Sequence, residues 1–278
     1  MDESLIRALT PIGIAFTQKD VILKLLGPTA DYIGEGAAGL VKRGAENVGR
    51  VLRSMARHLG SKIDQPGSLP PRVVKGLLTE GAFCEDPLAA EYFGGVLASS
   101  RSGVSRDDRG AGFVALVGRL STYQLRFHYA LYTMLRATFQ SNQVWPGDGG
   151  HREKFSMVLP YDTHAAIFDL QGDEEAEQFT QISNHVTFGL LAEGLIESFQ
   201  TGDASKFPTA GLPQDEDAMY LKVTPSALGV ELYMWAHGHG RMEPHDFFEP
   251  KVEFPAREPD VLIPGGFRAF HAPKKADE

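Results

Sequence analysis

The residue types on which most recognisable catalytic and metal sites depend are sparse or unpaired in this chain. It carries a single cysteine, Cys84. That excludes an internal disulfide and any paired-cysteine zinc or redox motif, and it suits a reducing compartment. No run approaches the ~18 consecutive apolar residues that a membrane-spanning helix needs. There is no HExxH helix, no Walker A loop and no GxSxG elbow, so zinc proteolysis, P-loop nucleotide hydrolysis and serine-elbow hydrolysis have no motif here. The chain opens on Asp2 and Glu3 where a secretion signal carries positive charge, and Pro11 interrupts the apolar stretch around it. A cytoplasmic protein is expected.

What is present suits a folded protein with a sizeable core: 278 residues, 42% hydrophobic and 23% charged. The net charge of −9 is unevenly spread, with eleven Lys and Arg against eight Asp and Glu in residues 1–80, and sixteen against twenty-eight in the remainder. An acidic body disfavours nonspecific binding to nucleic acid.

Residues 37–60 show the clearest helical period. Val41, Ala45, Val48, Leu52, Met55 and Leu59 form an apolar stripe; Arg43, Glu46, Arg50, Arg53 and Arg57 fall opposite, and Gly60 is placed to stop the helix. The arginines read either as a solvated face or as a basic surface for anionic lipid or an acidic partner. Further helices are expected from Pro71 through Leu78, and after Asp86-Pro87 with Leu88, Tyr92, Phe93, Val96 and Leu97 on one side. Another should follow the acidic pair Asp107-Asp108, and a fourth the capping-box pattern Ser121-Thr-Tyr-Gln124.

Beyond a Gly-rich, polar stretch at residues 141–157 the grammar changes. Acidic residues 173–175 suit a helix start before the apolar side Phe179, Ile182, Val186 and Leu190. Leu195–Phe199 and Met219–Val223 read as strands, and Thr224-Pro225 as the cap of a closing helix through Trp235. Prolines at 244, 250, 255, 259, 264 and 273 forbid regular helix afterwards. The expected fold is mainly α: a helical bundle, a winged-helix-like α+β module and an extended Pro-rich tail. The corresponding boundaries are 1–140 for the helical domain, 141–157 for a linker, 158–240 for the winged module and 241–278 for an extended or mobile tail.

Few constellations rise to candidate chemistry. Gly34-Glu-Gly36-Ala-Ala-Gly39 matches GxGxxG, but Gly27-Pro28 breaks any preceding strand and a basic helix stands where the ribose-binding acid belongs. Small residues that allow close helix approach explain it better. His237, His239 and His245 have no family-specific metal spacing, and nothing in sequence joins His128, Asp162 or His164 to a serine. No catalytic, cofactor or metal residue is assigned. A DNA-reading role for the expected recognition helix, Gln181–Glu193, meets the objection that it contains Asn184, His185 and Glu193 but no Lys or Arg.

Residues from about 25 to 140, some two-fifths of the chain, resemble the Abi-alpha (abortive infection alpha) family of bacterial proteins. The resemblance runs through Leu25-Leu-Gly-Pro-Thr-Ala30, then Pro70-Pro71-Arg72-Val73, then Glu85-Asp86 leading into Tyr92-Phe93-Gly-Gly-Val-Leu97-Ala98-Ser-Ser. It ends on Phe113-Val-Ala-Leu-Val117 and Leu120-Ser121, which open the helix finishing near Phe139. Where the family carries a Trp-Ala-x-Leu-Leu-Ala run, this chain has the looser Phe93-Gly94-Gly95-Val96-Leu97-Ala98. The resemblance implies a link to phage resistance and supplies no catalytic residues. The expectation is a non-enzymatic antiphage component that binds or senses a protein partner. Its candidate surfaces are Arg43, Arg50, Arg53 and Arg57 on the basic helix, and Asn184, His185 and Glu193 on the winged module. The alternative is an effector acting at a membrane surface through residues 37–60.

Overall fold

A computed structural model describes residues 42–254 apart from residues 105, 141–144, 171, 208–211 and 213–217. The GxGxxG string, Val41 and the chain beyond residue 254 lie outside the described residues, as do the side chains of Arg43 and Ala45. The protein is mainly helical with a small three-stranded antiparallel sheet. The described residues divide into two compact units, residues 42–122 with 234–242 and residues 123–233 with 243–254.

In the first unit, α1 (Lys42–Leu59) buries Val48, Val51, Leu52, Met55 and Leu59, the expected stripe widened by Val51. Gly60 ends it at φ +51°, a left-handed conformation that glycine adopts at little strain. α2 (Pro71–Thr79) begins on its proline and buries Val73, Val74 and Leu77. α3 (Pro87–Ser100) starts where Asp86 accepts a hydrogen bond from the Ala89 N–H at 2.9 Å, the N-cap read from sequence. Every residue of α3 from Leu88 to Ser100 is buried, so this helix is the axis of the unit.

The loosened Gly94-Gly95 pair explains how α3 is surrounded. A Cβ on Gly94 would fall 2.2 Å from Ser54 Oγ and 2.8 Å from the Met55 nitrogen, both on α1. One on Gly95 would fall 1.7 Å from the Ala236 carbonyl oxygen. Backbones meet on two sides of α3 where any side chain would hold them apart.

α4 (Gly110–Arg119) follows the acidic pair Asp107-Asp108, as expected. Asp107 and Asp108 do not cap it. Asp107 takes both arms of Arg109 at 2.8 Å, and Asp108 pairs with Arg72 at 2.7 Å. Phe113 of α4 stacks on Trp235 at 4.7 Å, and Ser99 Oγ of α3 donates to the Trp235 carbonyl at 3.0 Å.

The second unit begins with α5 (Thr122–Phe139), followed by the short helix α6 (Gly149–Arg152), β1 (Met157–Pro160), α7 (Tyr161–Phe168), α8 (Gly172–Glu177) and α9 (Phe179–Ala192). β2 (Ile196–Gly202), β3 (Tyr220–Pro225) and α10 (Ala227–Ala236) complete the sequence of elements. The sheet order is β1-β3-β2, with Met157 opposite Val223 and Phe199 also opposite Val223 from the other side. α5, then after the short α6 the strand β1, the helices α7 to α9 and a two-stranded wing, with β1 beside β3, is a winged-helix-like order.

Several expectations shift. Residues 123–140, grouped by sequence with the helical bundle, cluster with the sheet and supply the module's first helix. The stretch at 141–157 holds a helical turn and the start of β1, an apolar four-residue strand too short to show a period. Part of it is tied down: Arg152 donates to the Pro146 carbonyl at 2.9 Å and pairs with Glu197 at 2.7 Å. Thr224-Pro225 stays in the strand; Ser226 caps α10 instead, its Oγ accepting from the Gly229 N–H at 2.9 Å and donating to the Gly194 carbonyl at 2.6 Å. Under the wing, Val158, Ala204, Phe207, Leu212 and Tyr220 form a satellite core.

The C-terminal stretch also differs from a loose tail as far as residue 254. Pro244–Phe248 is a 3₁₀ turn with a Glu243–Asp246 capping box, and Phe247, Phe248 and Val252 are buried. Arg136 on α5 holds this segment. Its guanidinium donates to the carbonyls of Phe247, Glu249 and Val252 and lies 4.4 Å over the Phe254 ring. Arg136→Met should therefore lower unfolding stability by about 3 kcal/mol, because three carbonyls lose a charged donor. Arg136→Lys should rescue little of this, since one ammonium lacks the planar fork. Urea denaturation checks both, and unchanged stability in the Met variant contradicts the clamp.

Candidate functional site

The basic face of α1 is largely engaged within its own unit. Arg50 donates to the Glu85 carbonyl at 2.6 Å and reaches the Cys84 carbonyl at 3.5 Å. Arg57, its side chain 49% exposed, pairs with Glu91 of α3. Arg53 is half-buried between them; burial lowers its pKa, with the charges of Arg50 and Arg57 adding to the effect. Arg43 has only its backbone described.

Glu91 anchors a buried polar cluster. It accepts from Ser54 Oγ at 2.9 Å, and His58 Nε2 stands 3.5 Å from its carboxylate. Burial pushes the carboxyl pKa up, but the His58 imidazole, the Arg57 charge and the Ser54 hydroxyl outweigh it and hold the group below its ordinary value. His237 approaches the His58 ring edge-on at 6.5 Å. Ser54 donates to the carboxylate rather than to an imidazole, so this is not a nucleophile–base pair. Cys84 is no nucleophile either: burial, then Asp86, push its thiol up to about 12.

The histidines considered for chemistry are scattered by role. His245, in the second unit, stacks on Trp145 at 5.0 Å, whereas His237 lies by His58 in the first. Among the described residues no group of three or more His, Cys, Asp or Glu is placed to hold a metal ion. His128 is fully buried with Nε2 3.1 Å from the Gly229 carbonyl. His164 is fully buried among Phe127, Phe168, Phe179 and Tyr161, with neither ring nitrogen hydrogen-bonded. Burial lowers both to about 3, so both are neutral packing groups at pH 7. Asp162 is exposed.

The module's most distinctive surface is the outer side of α9. Ser183, Val186, Thr187 and Leu190 face inward. Outward lie Gln181, Asn184, His185 and Phe188, with Phe188 59% exposed and Leu191 39% exposed. The Phe188 ring meets Phe199 of β2 edge-on at 5.1 Å. Leu228, 37% exposed, lies beside Gly194 just past the helix end. Asn184 and His185 are exposed neighbours, while half-buried Glu193 stands some two and a half turns on, so these three do not form one cluster.

Phe188 was missed from sequence because the apolar side was drawn through Phe179, Ile182, Val186 and Leu190. The usable signal was an aromatic one turn from two exposed polar residues. A second signal is electrostatic. From residue 155 to residue 205 there is no Lys or Arg, against nine Asp and Glu.

Comparison of the chain with protein-family models, curated proteins and solved structures finds no match. No described helix is long and apolar enough to cross a membrane.

Two expectations follow from the buried groups. The pKa values of His128 and His164 fall from an ordinary 6.5 to about 3 on folding. Between those values the unfolded chain binds more protons, so stability is full above about pH 6.5 and declines as pH falls. His164→Phe should reduce the slope of unfolding free energy against pH by about 1 kcal/mol per pH unit between roughly pH 4.5 and 6. An unchanged slope in urea titrations contradicts this. Thiol-reactive dye should label Cys84 no faster than the protein opens, and rapid labelling of the native protein would exclude a buried thiol.

Proposed function

We propose that this protein acts by docking another protein on the α9–β2 face of its winged module, as a non-enzymatic component of bacterial antiphage defence in the cytoplasm. The observation that carries the docking reading is an aromatic–aliphatic patch, exposed Phe188 and Leu191 beside half-buried Phe199, at the position where winged helices usually meet their target. A DNA-reading helix uses cations to hold phosphate. This one lies in a stretch with none, so its surface suits a protein better than a nucleic acid. The defence role rests on the resemblance of residues 25–140 to Abi-alpha proteins.

The helical unit supports the same division of labour. Its Arg50 and Arg57 bind a carbonyl and a carboxylate inside the unit, which leaves the winged face as the stronger docking candidate. The test combines Phe188→Asp and Leu191→Asp, two exposed positions where the fold should tolerate change. The variant should keep the wild-type melting curve and circular dichroism while losing phage protection in a plating assay. Protection equal to wild type overturns the docking site; a wild-type chain that protects against none of a broad phage panel overturns the defence role.

A further inference from the structure

We infer that the occupant of the α9–β2 face is a Lys/Arg-rich amphipathic helix of a partner protein, with an apolar anchor that seats on Phe188 and Leu191; this rests on the docking reading above. α9 is fourteen residues long, or about 21 Å, enough to support a partner segment of several turns. Charge and apolarity are ordered along it. Ahead of its N-terminus stand the exposed acids Asp173, Glu174 and Glu177 of α8, with half-buried Glu175. Its middle presents Phe188 and Leu191, three residues apart and so on one side. Beyond lie Glu193 and, on β2, Glu197.

An apolar centre with exposed acids ahead of it is the complement of a helix with an aliphatic stripe and a basic flank. Two acids of this stretch are already paired. Glu197 pairs with Arg152, and Asp169 with Arg126. The α8 acids lie within the cation-free stretch from residue 155 to residue 205. At physiological salt, charges within about 8 Å of a docked segment still act on it, so the exposed acids of α8 favour a cationic partner. The apolar centre supplies the contact area that charge alone does not. A second copy of this acidic chain would bring like charges together, and duplex DNA would add phosphates to carboxylates.

The test uses the full chain and two fluorescent helical peptides. Both carry leucines at helical spacing; one has lysines at all other positions and the other glutamates. Anisotropy titrations at about 50 and about 300 mM salt, with a labelled DNA duplex alongside, separate the alternatives. The lysine peptide should bind at least about tenfold more tightly than the glutamate peptide, and more weakly at high salt. Phe188→Asp should weaken it by about tenfold. Glu174→Lys with Glu177→Lys should narrow the preference between peptides without changing the melting curve. Equal binding of the two peptides, binding of neither, preference for DNA, or indifference to Phe188→Asp overturns the inference. If those results coincide with loss of phage protection in the Phe188→Asp/Leu191→Asp variant, the face docks a partner of other chemistry.

Discussion

Guanidinium groups bound to backbone carbonyls hold together segments that have little regular structure of their own. Arg136 collects three carbonyls from residues 247–252. Arg101 collects those of Lys62, Ile63 and Gln65, and its own carbonyl accepts from Arg241 at 2.5 Å. Arg50 takes the carbonyl of Glu85, just before the N-cap of α3. Buried carbonyls outside helices and sheets need donors, and one planar guanidinium with five N–H groups satisfies several at once. Because the acceptors are neutral, these contacts do not depend on a carboxylate. Their placement, more than the number of positive charges, fixes where the loops lie against the helices.

The same interaction explains what could and could not be read from residues alone. Helix period and capping chemistry are local, so α1, α2 and α3 follow from the stripe at 48–59, Pro71 and Asp86-Pro87. Arginine on the outer side of an amphipathic helix gives no local sign of whether it meets water or a carbonyl some 35 residues away, as Arg50 does. The acid pair at 107–108 precedes α4 without capping it for a related reason: Arg109 and Arg72 take its carboxylates. β1 was hidden because four residues ending in proline carry no periodic signal, and it becomes a strand only by pairing with β3.

The outer side of α9 was half legible. Lack of cations in the helix is plain in the residues and counts against DNA reading. Exposure of Phe188 was not, since phenylalanine beside Val186 and Leu190 reads as core until the helix phase is set by its neighbours. Once Val186 and Leu190 point inward, Phe188 must turn outward, about 200° around the helix from Val186. The His164 cage was equally invisible: an imidazole with both nitrogens unsatisfied contradicts the usual pairing of buried polar groups, and no local pattern announces it.

The division of the chain carries a consequence for its synthesis. The first unit is discontinuous: residues 234–242, which bring Trp235 to Phe113 and Ala236 to Gly95, arrive only after residues 123–233 have been made. A ribosome therefore delivers the insert, residues 123–233, before the first unit can close, and the second unit's own closing segment with buried Phe247 and Phe248 later still. If the insert were unfolded at that moment, joining its ends would cost roughly 4 kcal/mol in chain entropy by logarithmic loop scaling. A folded insert replaces that floppy loop with a fixed separation of its termini. Order of emergence thus leaves both units open until late: the helical unit closes around α3 when Trp235 arrives, and the winged unit when Phe247 and Val252 reach Arg136.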